Sequence, residues 1–74
     1  MTVDEYTIVT IGSHSSLQIL HGAKKEGFKT AAILPKGREE FYGQFQFIDK
    51  IFPYKDEDEA LEYINSIENG ILIP

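Results

Sequence analysis

The segment Gly12-Ser13-His14-Ser15-Ser16 gathers the side chains best suited to holding an anionic ligand. Glycine lets the backbone turn sharply and approach a ligand without a Cβ in the way. Serine hydroxyls rotate to meet phosphate oxygens, and an imidazole near neutral pH donates a hydrogen bond with or without a charge. If a helix starts at this point, its free N–H groups and the positive end of its dipole add to the same cradle. The competing reading is structural, with Ser15 or Ser16 serving as an ordinary helix N-cap. A helix start has less need of an imidazole, so His14 is the residue that argues most for ligand contact. Lys36-Gly37-Arg38 is a second candidate, two cations around a glycine that could meet a phosphate or carboxylate, or simply form a solvated turn. The block Asp56-Glu57-Asp58-Glu59 reads as the favourable first turn of a helix rather than a metal site.

Other chemistries lack their parts. The chain has no cysteine, and therefore no thiol nucleophile, disulfide or thiolate metal site. It has no H-E-x-x-H zinc pattern, no G-x-S-x-G elbow, no G-x-G-x-x-G fingerprint and no P-loop lysine. No residue is assigned a catalytic role and no metal ligand set is assigned. Twelve acidic against seven basic residues give a net charge of −5, which disfavours a nucleic-acid partner. The cations Lys24, Lys25, Lys29, Lys36 and Arg38 nevertheless fall in the first half, leaving room for a local anion site. The acidic N-terminus is unlike a secretory signal, and no apolar run reaches the roughly 18 residues of a membrane span. The expectation is a soluble, cytoplasmic chain.

The elements that must position these residues can be read from pattern. Residues 6–11 (YTIVTI) are β-branched and apolar without alternation, as expected of a parallel strand buried on both faces. A helix from Ser16 carries Leu17, Leu20 and Ala23 on one side and ends at Gly27. Residues 30–34 (TAAIL) form a second strand, closed by Pro35. Residues 38–42 form a short helix, and residues 48–54 contain a third strand that Pro53 confines to an edge or an end. Asp56 and Glu59 cap a last helix with an apolar stripe of Ala60, Leu61, Ile64 and Ile67, ended by Asn69-Gly70. Residues 71–73 begin a fourth strand.

The β-α-β-α-β-α-β pattern predicts a single α/β domain over residues 1–74, a Rossmann-like parallel sheet of about four strands with alternating helices. In the usual winding, strands two and three build to one side of strand one and strand four returns to the other. The switch point between strands one and four then carries residues 12–16 on its rim. A strand ending at Pro74 is a poor domain boundary, so the expectation is a fragment or a shortened family member. At 74 residues the domain buries only about 60% of its unfolded surface, so marginal stability is expected.

The runs IGSHSSLQILHGAKKEGFKT (residues 11–30) and KGREEFYGQFQFIDKIF (residues 36–52), with the closing ILIP, resemble the N-terminal region of archaeal formate-dependent FAICAR synthetases. These form the PurP family of the ATP-grasp superfamily. The resemblance implies a truncated pre-ATP-grasp domain from a ligase of purine biosynthesis. There, ATP and Mg2+ activate formate as formyl phosphate, and the amine of AICAR (5-aminoimidazole-4-carboxamide ribonucleotide) attacks it to give FAICAR. It implies that His14 contacts AICAR, with Gly12, Ser13, Ser15 and Ser16 around it. A second contact, from an H-G-S motif beyond the fourth strand, is not in this sequence. ATP, Mg2+ and formate are bound mainly by the ATP-grasp domains, which are absent here, so the expectation is a ribotide half-site that is inactive alone. Family members assemble as oligomers, which implies a homo-oligomer as a candidate state. Two other readings are a generic Rossmann-like domain for another phosphorylated ligand and a non-catalytic interaction module.

Overall fold

A computed structural model of the chain describes residues 5–11 and 16–73. Four strands, β1 (Thr7–Ile11), β2 (Lys29–Pro35), β3 (Lys50–Tyr54) and β4 (Gly70–Ile73), alternate with helices α1 (Ser16–Lys25), α2 (Glu39–Gly43) and α3 (Glu57–Ser66). They form one parallel sheet in the order β3-β2-β1-β4, the winding expected from the sequence. Ile8 pairs with Thr30 on one side and with Ile71 on the other.

Alternation along the strands divides the core between the two faces. Ile8, Ala32 and Leu34 meet Leu20 of α1 and Tyr42 of α2, together with Ile48. Val9, Ala31 and Ile33 meet Ala60 of α3 on the opposite face. Crossovers that keep one handedness while the winding reverses must place α3 opposite α1 and α2. β2 is central, and residues 30–34 are all buried.

Local signals in the sequence fix the ends of the elements. Gly27 takes φ 96°, its N–H donates to the Lys24 carbonyl at 3.0 Å, and the Phe28 N–H donates to Ala23 at 3.1 Å. This is a Schellman closure of α1, and Phe28 turns back onto the core. At α3, the Asp56 carboxylate accepts from the Glu59 N–H at 2.9 Å while Glu59 reaches back to the Lys55 N–H at 2.8 Å. Pro53 lies in β3, an edge strand.

Two expectations need correction. Leu61 does not belong to the apolar stripe of α3, because it is 56% exposed. One residue beyond Ala60 is rotated by about 100° around the helix, away from the sheet. Tyr63 takes the place instead, packing its ring 5.1 Å from Phe52 and donating its hydroxyl to the Pro53 carbonyl at 3.0 Å. α3 also ends before Asn69-Gly70, at Ser66, with Ile67 already extended. Asn69 then takes φ 56°, and a Cβ at Gly70 would stand 3.1 Å from Ile67 Cγ2, so the turn into β4 leaves little room for a side chain at that position.

Candidate functional site

Reversal of the winding between β1 and its two neighbours, β2 and β4, creates a switch point at the carboxyl ends of the strands. β1 ends and α1 begins at this rim. Of the residues singled out there, Gly12, Ser13, His14 and Ser15 lie outside the described residues. Ser16 is the first residue of α1 and fully buried, and its hydroxyl donates to the Ile11 carbonyl at 3.2 Å. That bond joins the last residue of β1 to the first of α1 and sets the entry of the helix onto the sheet. One residue before the end of β1, Thr10 is 2% exposed, and its hydroxyl has no hydrogen-bond partner among the described residues. The strand sequence gave no reason to single it out, because threonine is an ordinary β-former.

Lys36, Gly37 and Arg38 follow β2 on the same rim, and all three are exposed. Their turn is fastened by the Lys36 N–H to the Tyr54 carbonyl at 2.8 Å and by the Arg38 N–H to the Pro35 carbonyl at 3.2 Å. Gly37 takes φ 107°, which explains the glycine. Its N–H donates to the carboxylate of Glu39. The Glu39 carboxyl is held below its ordinary range by its own backbone N–H and that of Gly37; slight burial opposes this and the Lys36 charge adds to it. An internal carboxylate therefore occupies the backbone donor of this turn, leaving the Lys36 and Arg38 side chains as its groups for an external anion.

At the opposite, amino end of the sheet the structure assembles a cluster that sequence reasoning missed. Asp49 accepts from Lys24 Nζ at 2.7 and 2.9 Å and from the Thr30 N–H at 2.9 Å. The Thr30 hydroxyl donates to the Phe47 carbonyl and accepts from the Asp49 N–H at 2.9 Å. Burial pushes the Asp49 carboxyl up, but the Lys24 ammonium and the Thr30 donors outweigh it and hold the group below its ordinary value. The arrangement ties the end of α1 to the starts of β2 and β3. A shallow concavity lined by Lys24, Thr30, Asp49, Ser66 and Asn69 opens beside it, away from the switch point. No signal in the sequence marks Asp49, since its partners lie 25 and 19 residues away.

Among the described residues no group of three or more His, Cys, Asp or Glu side chains could hold a metal ion. Among them, too, no helix is long and apolar enough to cross a membrane.

Comparison with known proteins places the chain. The family described as "Protein of unknown function (DUF1246)" matches residues 8–74. The chain belongs to this family. Among similar proteins is the 5-formaminoimidazole-4-carboxamide-1-(beta)-D-ribofuranosyl 5'-monophosphate synthetase of Sulfurisphaera tokodaii, 69% identical over 68 residues that make up 90% of this chain and 20% of that protein. The protein of the same name from Sulfolobus acidocaldarius is 67% identical over 92% of this chain and 21% of its own length. A crystal structure of an IMP biosynthesis protein PurP from Thermococcus kodakaraensis superposes with a TM-score of 0.74 at 40% identity, covering 90% of this chain and 21% of that one. The DUF1246 chain thus spans about a fifth of the length of these relatives.

Proposed function

We propose that this chain is the substrate-binding N-terminal part of a 5-formaminoimidazole-4-carboxamide ribonucleotide synthetase, holding AICAR for ATP- and formate-dependent formylation and inactive alone. The observation that carries the reading is 69% identity, across nine-tenths of the chain, to a relative bearing that name. The fold supports it, since β1 ends and α1 begins at the switch point where such sheets bind ligands. In this reading His14 orients the imidazole carboxamide and Gly12, Ser13 and Ser15 receive the phosphate, while the buried Ser16, its hydroxyl given to the Ile11 carbonyl, fixes the start of α1 behind them. Lys36 and Arg38 lend positive charge from the neighbouring strand end. The work done is positioning: fixing the ribotide sets its amine for in-line attack on an acyl phosphate formed elsewhere, an entropic contribution to rate. ATP, Mg2+ and formate belong to ATP-grasp domains outside this chain, in an oligomer of the complete synthetase.

The test is an amide-shift titration of the chain with AICAR, beside AMP and a His14→Ala variant. The expected result is shifts centred on residues 12–16 that favour AICAR and disappear in the variant. Equal response to AMP would instead indicate a generic phosphoryl-ligand domain. A well-dispersed spectrum unchanged by every ligand would refute the half-site.

A further inference from the structure

The amino end of the sheet carries a second group of side chains, which the switch point does not use. Lys29 opens β2 and Lys50 opens β3, and both are exposed. Lys50 pairs with Ala31, two residues beyond Lys29, so alternation puts both lysines on the α3 face. Strand spacing and rise separate their Cα atoms by about 8 Å, a gap that two lysine side chains can close around one phosphate. Like charges at neighbouring positions on one sheet face oppose each other. Among the described residues neither ammonium has a carboxylate within ion-pair distance, and the neighbouring Asp49 is already held by Lys24 and the Thr30 N–H. A lysine on β3 guards an edge, but β2 is central and Lys29 has no edge to guard. Thr7 pairs with Lys29 on the same face, and its half-buried hydroxyl has no partner among the described residues. α3 stops at Ser66, and the corner beyond it is a concavity of about 1020 Å3, room enough for a small metabolite. Lys29, Lys50 and Thr7 line it, together with Glu5, Glu68 and Asn69.

We propose that this corner is a second binding site, for the phosphate monoester of a small sugar. Lys29 and Lys50 clamp the phosphate from neighbouring strands, and its charge replaces their mutual repulsion with charge-assisted hydrogen bonds. The Thr7 hydroxyl and the Asn69 amide add neutral donors from β1 and from the turn before β4. Glu5 and Glu68 supply the opposite chemistry, carboxylates that accept from sugar hydroxyls. The carbonyl end of α3 faces the same corner and favours hydroxyl donors for the same reason. Lys24, Lys29 and Lys50 are balanced there by Glu5, Asp49 and Glu68. That balance selects a ligand with one anionic end and a neutral, hydroxylated body over a polyanion. The corner lies at the end of the sheet opposite the switch point, so the inference does not rest on the ribotide reading.

The test is an amide-shift titration of the chain with ribose 5-phosphate and, separately, with inorganic phosphate at constant ionic strength. Residues 7, 29, 50 and 69 are expected to shift, with ribose 5-phosphate the tighter ligand. Lys29→Gln combined with Lys50→Gln should weaken its binding about tenfold or more, while Lys25→Gln, at the end of α1 and outside the corner, leaves it unchanged. Ribose 5-phosphate should also raise the Tm of the wild-type chain more than that of the double variant. Absence of shifts at these four residues, equal weakening by Lys25→Gln, or equally tight binding of inorganic phosphate would overturn the proposal. So would ribose 5-phosphate shifts confined to residues 12–16, which would leave the switch-point site intact. Shifts at the amino end with ribose 5-phosphate, and none at residues 12–16 with AICAR, would uphold this site and count only against the ribotide reading.

Discussion

Replacing Asp49 with alanine removes two kinds of interaction whose sizes can be separated. The first is the ion pair with Lys24, whose side chains are 42% and 33% exposed for lysine and aspartate. Exposed pairs of this kind contribute about 0–1 kcal/mol. The second is the carboxylate's bond to the Thr30 N–H, on a residue only 1% exposed. Leaving a buried amide without its acceptor costs about 1–3 kcal/mol. The Asp49→Ala loss should therefore be about 2–3 kcal/mol, against about 4–11 kcal/mol for a domain of 74 residues. Lys24→Met, which keeps the aliphatic stem, should cost under about 1 kcal/mol. Urea unfolding followed by far-UV circular dichroism, with equal m-values, measures both. If Lys24→Met costs as much as Asp49→Ala, the cluster acts through the ion pair and the backbone argument is refuted. The pH dependence gives a second check. The folded-state carboxyl titrates below its ordinary value of 3.8, so its contribution is complete above that value and is lost as pH falls through the lowered one. The stability gap between wild type and Asp49→Ala should stay constant from neutrality down to about pH 4 and narrow only below it.

Two glycine substitutions should act with opposite sign. At Gly22, exposed within α1 with open space around its Cβ position, alanine should raise stability by about 0.5–1 kcal/mol. At Gly37 the space is equally open but φ is 107°, so alanine should cost about 1–2 kcal/mol in backbone strain, and paired thermal melts would reveal equal signs if that account were wrong. Asp56→Ala removes the cap of α3 and should cost about 1 kcal/mol. Asp56→Asn should recover most of it in the same denaturation assay, and failure to do so would mean that the charge rather than the acceptor matters.

Contacts close in sequence were the legible ones. Gly27 at the end of α1, Asp56 and Glu59 at the start of α3, and Pro53 on an edge strand each act within a few residues, so residue type and spacing determine them. The sheet order also followed from the sequence, because short right-handed crossovers leave few ways to wind four parallel strands. The rim position of the end of β1 and the start of α1 is a consequence of that order. The cluster of Asp49, Thr30 and Lys24 was not legible, since each partner is local to a different element. Nor was the exchange of Leu61 for Tyr63, because a stripe read from hydropathy does not say which large residue reaches the neighbouring strand. The buried Thr10 hydroxyl likewise emerges only once α1 is laid over β1.

By itself, then, the sequence determined the parallel α/β class, the winding, the caps and the placement of Gly12-Ser13-His14-Ser15-Ser16 between a strand and a helix, because short-range sterics and periodicity set all of these. Tertiary structure alone decided that Asp49 ties three elements together, that Glu39 takes the backbone donor at Gly37, and that β4 is left with apolar side chains open on both faces. The last two turn on what packs nearby and on what the fold leaves uncovered, and neither quantity is carried by residue type or spacing.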